Sequence, residues 1–241
     1  GYDISGFARI IDYYQDIKLL LDFCKTHNTF LIPRAAGTSL AGQVVGAGIV
    51  VDVSKNLNQI LEINVQEKWV RVQAGVVLQQ LNQYLKQYNL LFGPETSTAN
   101  RCCIGGMVGN NSCGLHSLVY GSARDHLLEA KVILADGKQV LLKQYSKEKF
   151  SAKAQQNDLE GKIYKYIEST YSNEDLKKEI IENFPEKEVS RRNNGYALDS
   201  LIENTNPNLA KLFAGSEGTL GFATEFKLNL VSLPPKHKAV I

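Results

Sequence analysis

The sequence predicts an α+β fold with a small parallel α/β lobe and a larger, mainly antiparallel α+β lobe. Three observations support this fold class. A helical pattern near the N-terminus leads directly into short apolar strands, which is typical of a parallel unit. Farther along, two pairs of strand patterns are each separated by a short polar turn, as in antiparallel hairpins. The chain has 241 residues, enough for two closely packed lobes with a sizeable core.

The small lobe is predicted over residues 1–57. Apolar residues recur at helical spacing from Asp16 to His27, which predicts one helix. Two short apolar segments follow, Phe30 to Ile32 and Ile49 to Val53, and each is typical of a buried strand. A loop of small residues connects the two strands. This order of elements predicts parallel pairing between them.

The larger lobe is predicted over residues 58–235. Asp136-Gly137 separates two strand patterns, and this dipeptide is a strong hairpin signal. The predicted elements are strands over 60–65 and 69–73, a helix over 78–88, strands over 130–134 and 139–142, and a closing strand over 222–231. Pro234-Pro235 then ends the strand pattern, and residues 236–241 are expected to begin a linker to a further domain.

The segment from Lys143 to Glu188 is polar and charged, and we interpret it as a surface helical insertion. Ser172 and Asp175 have the spacing of a capping box ahead of an apolar pattern, which predicts a helix start at Ser172.

Composition and charge exclude several classes of function. The chain has 27 basic and 25 acidic residues, a balance that argues against a nucleic-acid partner. No apolar run approaches the roughly 20 residues that span a bilayer. The cysteines form no Cys-x-x-Cys pair and the histidines lack metal-ligand spacing, so no metal site is expected. Cys102, Cys103 and Cys113 are interpreted as small buried residues. Reduced thiols and the lack of a visible signal peptide predict a cytoplasmic location, at most peripheral to a membrane.

The segment from Pro33 to Gln43 is rich in small residues and directly follows a predicted strand. Without bulky side chains, the backbone can curl so that successive N–H groups converge on phosphate oxygens. Arg34 and the hydroxyls of Thr38 and Ser39 would add further donors. A diphosphate fits such a loop. The alternative is an irregular loop with Arg34 on the surface.

Two further glycine clusters follow, Gly105 to Gly114 and Gly215 to Gly221. Glycine permits a flat ligand to approach the backbone closely, and asparagine amides can face the edges of a heterocycle. Three such ligand-type loops could converge on one long cofactor, although a tight structural turn also explains the second cluster. No Rossmann fingerprint, P-loop or nucleophile elbow is present.

With these clusters the chain resembles the PCMH-type FAD-binding domain of the vanillyl-alcohol oxidase flavoprotein family. Within that family it is most similar to the glycolate oxidase and D-lactate dehydrogenase branch, particularly the FAD and iron–sulfur D-2-hydroxy acid dehydrogenases. The matching segments, in order, are 33–43, 93–100, 104–114, 117–126 and 215–221.

The resemblance implies a set of residues around FAD. The loop from Arg34 to Ser39 would hold the pyrophosphate. The residues that would approach the flavin side are Asn110, Gly114, Ser117, Tyr120 and Gly121. Those that would complete the adenine and ribose end or its support are Glu217, Gly218, Gly221 and Phe222. Covalent relatives have a histidine where this chain has Thr38, so non-covalent FAD is expected. The implied cofactor-binding residues are Arg34, Ala35, Ala36, Gly37, Thr38, Ser39, Gly42, Gln43, Pro94, Ser97, Thr98, Gly105, Gly106, Asn110, Gly114, Ser117, Tyr120, Gly121, Glu217, Gly218, Gly221 and Phe222.

The resemblance also implies an activity, the oxidation of a D-2-hydroxy acid of the D-lactate, glycolate or D-2-hydroxyglutarate type by hydride transfer to FAD. The family's catalytic base is a histidine of a substrate domain that would follow Pro235, so no catalytic residue and no metal ligand is expected in this chain. The electron acceptor, a quinone, a cytochrome or an iron–sulfur domain, stays open. The alternatives are a flavin-binding electron-transfer module without its own substrate chemistry and a reductase resembling the cell-wall UDP-sugar enzymes.

Overall fold

The computed structural model describes residues 13–185, 189, 195–202 and 207–234. The predicted linker at 236–241 and the first twelve residues of the small lobe lie outside this part of the chain. The first half contains α1 (Tyr13–Thr26), β1 (Leu31–Arg34), β2 (Ile49–Asp52), β3 (Ile60–Asn64), β4 (Trp69–Gln73), α2 (Leu78–Leu85), β5 (Leu90–Leu91), α3 (Ile104–Gly109), α4 (Ser117–Tyr120) and α5 (Ala123–His126). The second half contains β6 (Leu127–Ile133), β7 (Gln139–Lys143), α6 (Lys147–Ala154), α7 (Leu159–Ser172), α8 (Glu174–Asn183), α9 (Asp199–Ile202), α10 (Leu209–Phe213), β8 (Phe222–Asn229) and β9 (Val231–Ser232).

The small lobe has the predicted parallel pair. Strands β1 and β2 run side by side with Leu31 opposite Ile49, and α1 contributes the fully buried Ile17 to the core. Strand β1 continues through Pro33 to Arg34, beyond its predicted end. A two-stranded sheet tolerates this proline because alternate N–H groups of each strand point away from the partner.

The larger lobe is built on an antiparallel sheet with the strand order β3-β4-β8-β6-β7. The predicted hairpin turn at Asp136-Gly137 is confirmed, since Gly137 has a φ of +85° and Leu134 donates to the carbonyl of Lys138. The closing strand β8 lies in the centre of the sheet. Side chains of the neighbouring strand partly cover its predicted polar face, where Glu225 is buried and paired with Lys131 at 2.8 Å.

The segment after β7 departs from the predicted surface insertion. Helices α6 and α7 pack against each other and bury Phe150, Tyr164 and Ile167 in a second apolar cluster with Leu201 and Leu209. The polar composition concealed this stripe because most other positions of these helices face solvent. Only α8 has no buried residue, so the prediction holds for that helix alone.

The predicted capping box is wrong. Ser172 is the last residue of α7, and Asn173 instead caps α8 by accepting hydrogen bonds from the N–H groups of Asp175 and Leu176. An asparagine side-chain oxygen can accept from the unpaired N–H groups of the first helical turn as well as a serine hydroxyl can. The cap of α8 therefore lies one residue later than predicted.

The second glycine cluster also differs from the expected loop, because residues 104–109 form the short helix α3. Ile104, Met107 and Val108 follow helical spacing and are buried in the main core, which outweighs the poor helix propensity of the glycines. The helix sets Gly105 and Gly106 on a fixed support. Within the described part of the chain, no helix combines the length and apolar character that crossing a bilayer requires.

Candidate functional site

A cleft of about 530 Å³ lies between the loop after β1, helix α3 and the loop before β8. It is lined mainly by backbone and small side chains. Most of the predicted site residues lie on its wall, namely Arg34, Ala35, Ala36, Gly37, Thr38, Ser39, Gln43, Ser97, Thr98, Gly105, Gly106, Asn110, Glu217, Gly218, Gly221 and Phe222. The structure thus brings the three glycine clusters together, as their composition suggested.

The side chain of Arg34 contacts the loop that follows β1, residues 35–43, called the first loop below. Its Nη1 donates to Oδ2 of Asp52 at 2.5 Å, and its Nη2 lies 3.5 Å from the carbonyl oxygen of Ala36. Gly37 wraps over the guanidinium with a φ of +65°, and a Cβ there would lie 3.0 Å from Nε of Arg34. Asp52 therefore compensates the charge of Arg34, and no local pattern in the sequence predicts that partner.

Backbone N–H groups of the first loop are available as hydrogen-bond donors to a ligand. Among the residues that the structure describes, the N–H groups from Gly37 to Ala41 have no hydrogen-bond partner. The loop ends in a turn at Gly42, which has a φ of +79° and accepts a hydrogen bond from the N–H of Val45. Consecutive free N–H groups on a cleft wall are suited to bind an anion.

Helix α3 and the segment before it form the second wall. The N–H of Gly105 donates to the carbonyl of Ala74 at 2.7 Å, and a Cβ on Gly105 would lie 2.9 Å from that oxygen. A Cβ on Gly106 would instead face Ala35 at 3.5 Å across the cleft. Gly105 is therefore required for packing, whereas Gly106 keeps the cleft open.

Cys102 and Cys103 also line the cleft, and sequence reasoning did not predict this. Both are buried, as expected for small apolar residues. Burial, with smaller contributions from Cys102 and Asp52, raises the pKa of Cys103 to about 11, while a hydrogen bond from the N–H of Ala36 opposes the shift. The Cys103 thiol is neutral near pH 7, and Cys113 is only partly buried.

The third wall is the loop before β8. Glu217 has a φ of +50°, and its N–H donates to the carbonyl of Gly109 at 3.0 Å, which holds the loop on the end of α3. Its side chain reaches the first loop, where Nε2 of Gln43 donates to Oε1 of Glu217 at 3.2 Å. The other amide atom, Oε1 of Gln43, is screened from solvent and has no partner among the described residues.

The remaining predicted residues do not line the cleft. They are Gly42, Pro94, Gly114, Ser117, Tyr120 and Gly121. Two of these glycines permit close packing, since a Cβ on Gly114 would lie 2.4 Å from the carbonyl oxygen of Glu95 and one on Gly121 would lie 2.4 Å from Oδ2 of Asp125. Glu95 in turn accepts from the N–H of His116 at 3.1 Å and contacts its ring at 2.7 Å.

Fourteen wall residues, six of them in the apolar core, were not among the predicted site residues. They are Pro33, Leu40, Ala41, Val44, Val53, Ala74, Thr96, Cys102, Cys103, Met107, Gly109, Ser112, Phe213 and Ala223. Two of them are polar, Thr96 and Ser112. Thr96 lies beside the predicted residues Ser97 and Thr98, and its hydroxyl is 3.1 Å from that of Thr98.

The cleft fits a dinucleotide cofactor. Its volume lies in the range of roughly 300–1,000 Å³ that is typical of small-molecule sites. The N–H groups from Gly37 to Ala41 suit a diphosphate, and Gly106 leaves room for a flat group. These features define a nucleotide-cofactor domain of the flavin-binding class.

Comparison with known proteins identifies the family. The model of the FAD binding domain family matches residues 10–143, more than half of the chain. The chain belongs to this family, and FAD is its cofactor. The predicted PCMH-type fold is likewise confirmed by a solved alkyldihydroxyacetonephosphate synthase, which matches 92% of this chain and 33% of its own with a TM-score of 0.59. At 16% identity that likeness shows the fold alone.

Curated relatives lie in the branch that the motifs indicated. D-2-hydroxyglutarate dehydrogenase of Escherichia coli K12 is 39% identical over 86% of this chain and 20% of that protein. Glycolate oxidase subunit GlcD of Bacillus subtilis 168 is 28% identical over 94% of this chain and 37% of its own length. The mitochondrial D-lactate dehydrogenase [cytochrome] of Kluyveromyces lactis is 33% identical over 51% of this chain and 22% of its own. The chain thus spans about a fifth of the length of the first of these relatives.

Proposed function

We propose that this chain is the FAD-binding part of an FAD-dependent dehydrogenase that oxidises a D-2-hydroxy acid. The observation that carries the proposal is the convergence of the three glycine clusters on one cleft with free N–H groups. D-2-hydroxyglutarate is the first substrate to test, because the dehydrogenase named for it is 39% identical across 86% of the chain. D-lactate and glycolate are the next.

The roles of the chain's residues follow from their positions. The N–H groups from Gly37 to Ala41 bind the diphosphate, and Gly106 leaves space for the flat part of the cofactor. Bound FAD supplies the hydride acceptor. The Arg34–Asp52 pair braces the loop that carries these N–H donors, so they would need little rearrangement when the diphosphate binds.

We propose that FAD is held without a covalent bond. The loop from Pro33 to Gln43 contains no histidine, and the nearby Cys103 is held as a neutral thiol, which is a poor nucleophile. The predicted contacts that lie off the cleft wall are retained as proposals, with Gly114, Ser117, Tyr120 and Gly121 on the flavin side, Pro94 along the cofactor and Gly42 near the pyrophosphate. The division into lobes at residues 57 and 58, and a cytoplasmic location at most peripheral to a membrane, are proposals of the same kind.

The test uses the natural protein expressed from its complete gene. We expect a yellow preparation with a flavin spectrum, and acid precipitation should release all of the flavin into the supernatant. Anaerobic D-2-hydroxyglutarate should bleach the spectrum, whereas the L-enantiomer should not. A colourless protein that gains no flavin from excess FAD would refute the proposal. A yellow protein that no D-2-hydroxy acid bleaches would be an electron-transfer module instead.

A further inference from the structure

His126 is a buried residue that joins two parts of the larger lobe. It ends α5, is 6% exposed, and its ring meets that of Phe92 edge-on at 5.6 Å. Nε2 lies 2.7 Å from the carbonyl oxygen of Tyr120, and Nδ1 lies 3.1 Å from the carbonyl oxygen of Asn229. The ring therefore spans from the end of α4 to the end of β8, the central strand of the sheet.

These two contacts require two donors. A carbonyl oxygen only accepts hydrogen bonds, and a neutral imidazole has one N–H and one acceptor nitrogen. A singly protonated ring therefore satisfies one carbonyl, while its other nitrogen directs a lone pair at an oxygen. An imidazolium ring donates to both carbonyls at once, and hydrogen bonds from a charged donor are the stronger kind. The number of protons on the ring thus decides whether Tyr120 and Asn229 are linked.

The charged side chains that lie next to His126 are directed elsewhere. The carboxylate of Asp125 accepts from the N–H that precedes α5, at 2.7 Å. Lys211, on α10, donates to the carbonyl oxygen of Asp125 at 2.9 Å. Arg124 donates through Nη2 to the carbonyl oxygen of Ala214 at 2.7 Å. The hydrogen-bond partners of the ring are the two backbone carbonyls, so two N–H groups on the ring are what the link requires.

Residues 120–121, the turn at the end of α4, pack against one wall of the cofactor cleft. A Cβ on Gly93 would lie only 2.9 Å from the Cβ of Tyr120, so the turn lies directly on the segment that leads to Thr96. Two residues after the turn, a backbone N–H donates to the carbonyl oxygen of Ser112 at 2.9 Å. Thr96 and Ser112 both line the cleft. The position of this wall therefore depends on the position of the turn.

We propose that His126 is a positioning residue for the cofactor: as an imidazolium it donates to the carbonyls of Tyr120 and Asn229, and so fixes the turn behind the cleft wall. Loss of one N–H breaks this link, whichever carbonyl the ring keeps. The wall is then held less firmly, so FAD binds less tightly as the pH rises. The inference rests on the proposed function, because its readout is the binding of FAD.

The experiment measures the FAD affinity of the natural protein, stripped of flavin, from about pH 5 to about pH 8, the range in which histidine changes charge. His126→Gln has an amide that can donate a hydrogen bond but takes up no proton in this range. The ratio of the wild-type affinity to that of His126→Gln isolates the effect of the ring. It should fall by about 3- to 10-fold as the pH rises, the contribution of one hydrogen bond.

His27→Gln is the matched control. His27 is exposed and lies outside the cleft, and its Nδ1 has a single carbonyl partner, that of Phe23 at 3.0 Å. Its removal should leave the pH profile of FAD affinity equal to that of the wild type.

A second measurement needs the wild type alone, so it remains decisive if His126→Gln does not fold. Calorimetry in two buffers of different ionisation enthalpy counts the protons that the protein takes up when it binds FAD. Where affinity falls with rising pH, linkage requires a net uptake of protons on binding.

A ratio that stays constant or rises with pH would overturn the inference, because His126 would then have only a structural role. Binding of FAD to the wild type without proton uptake would overturn it as well. A wild type that binds no FAD at any pH would instead refute the proposed function, so the two failures are distinguishable.

Discussion

Arg34 donates a hydrogen bond to Asp52 across 2.5 Å, and this pair joins the ends of the two parallel strands beneath the cofactor loop. Oδ1 of Asp52 also accepts from the N–H and the hydroxyl of Ser54, at 2.8 and 2.6 Å. We therefore expect Arg34 to act on the cofactor indirectly, because Asp52 already compensates its charge. We expect the pair to stabilise the loop from Gly37 to Ala41, which lies on the cleft wall.

The first prediction concerns this ion pair. Asp52→Ala should destabilise the fold by about 1–3 kcal/mol, because it leaves a half-buried guanidinium and the Ser54 donors without their acceptor. FAD affinity should fall or stay constant, although a negative charge has been removed. Urea unfolding and FAD titration measure the two effects.

Asp22→Ala is the control for Asp52→Ala, because Asp22 forms an exposed ion pair with Lys25 at 3.7 Å. It should change stability by no more than about 0.5 kcal/mol. Tighter FAD binding by Asp52→Ala would contradict the bracing role and would mean that Arg34 binds the diphosphate directly.

The second prediction separates the two adjacent glycines of α3. Gly105→Ala should cost about 1–3 kcal/mol of stability, because its Cβ would lie 2.9 Å from both the Cβ and the carbonyl oxygen of Ala74. Gly106→Ala should keep or raise stability, since alanine favours helix and its Cβ meets Ala35 at an ordinary 3.5 Å.

FAD binding should respond in the opposite order. The methyl group of Gly106→Ala narrows the cleft, so its FAD affinity should fall while its unfolding midpoint does not. Thermal unfolding without cofactor, followed by FAD titration, tests both. Wild-type FAD affinity in Gly106→Ala would show that the flat part of the cofactor does not pass this residue.

The third prediction concerns Tyr164 in the cluster between α6 and α7. Its ring is fully buried, and its hydroxyl has no partner among the described residues. Tyr164→Phe should therefore stabilise the protein by about 1 kcal/mol, because it removes an unsatisfied polar group. Tyr145 is the matched control, since its hydroxyl donates to the carbonyl of Leu141 at 2.9 Å.

Tyr145→Phe should lose about 0.5–1.5 kcal/mol, the usual contribution of one hydrogen bond. Chemical denaturation of the two variants gives the comparison directly. If both variants lost stability equally, Tyr164 would have a donor or acceptor partner that the described residues do not include.

The elements that the sequence predicts correctly are those that depend on a few neighbouring residues. The hairpin at Asp136-Gly137 and the loop after Pro33 depend on backbone conformations that few residue types adopt, so both were predictable. The start of α8 was misplaced by one residue because serine and asparagine cap helices almost equally well. The stripe through Phe150 and Tyr164 was obscured by the charged residues around it.

The site was predictable where glycine clusters marked it and unpredictable where distant residues meet. Nothing near Arg34 in the sequence indicates that Asp52 neutralises it, since their contact depends on the parallel register of β1 and β2. Ala74 and Met107 are ordinary core residues in the sequence, and only the packing of α3 places them at the cleft. The bridge from Gln43 to Glu217 likewise requires the complete fold.

The last prediction follows from the raised pKa of Cys103. Burial places that pKa at about 11, against an ordinary value of 9.0. Between these two pH values the folded protein keeps a proton that the unfolded chain has released. The contribution of Cys103 to the free energy of unfolding is therefore complete below pH 9. It falls as the pH rises, by up to about 2–3 kcal/mol at pH 11.

Cys103→Ala removes this contribution, so its stability should decline less steeply than that of the wild type between pH 9 and 11. Cys113→Ala should retain the wild-type slope, because Cys103 is still present. Urea unfolding at a series of pH values compares the slopes, which do not depend on the cost of losing the side chain itself. Parallel curves for wild type and Cys103→Ala would mean that the thiol is more accessible to water than its 2% exposure indicates.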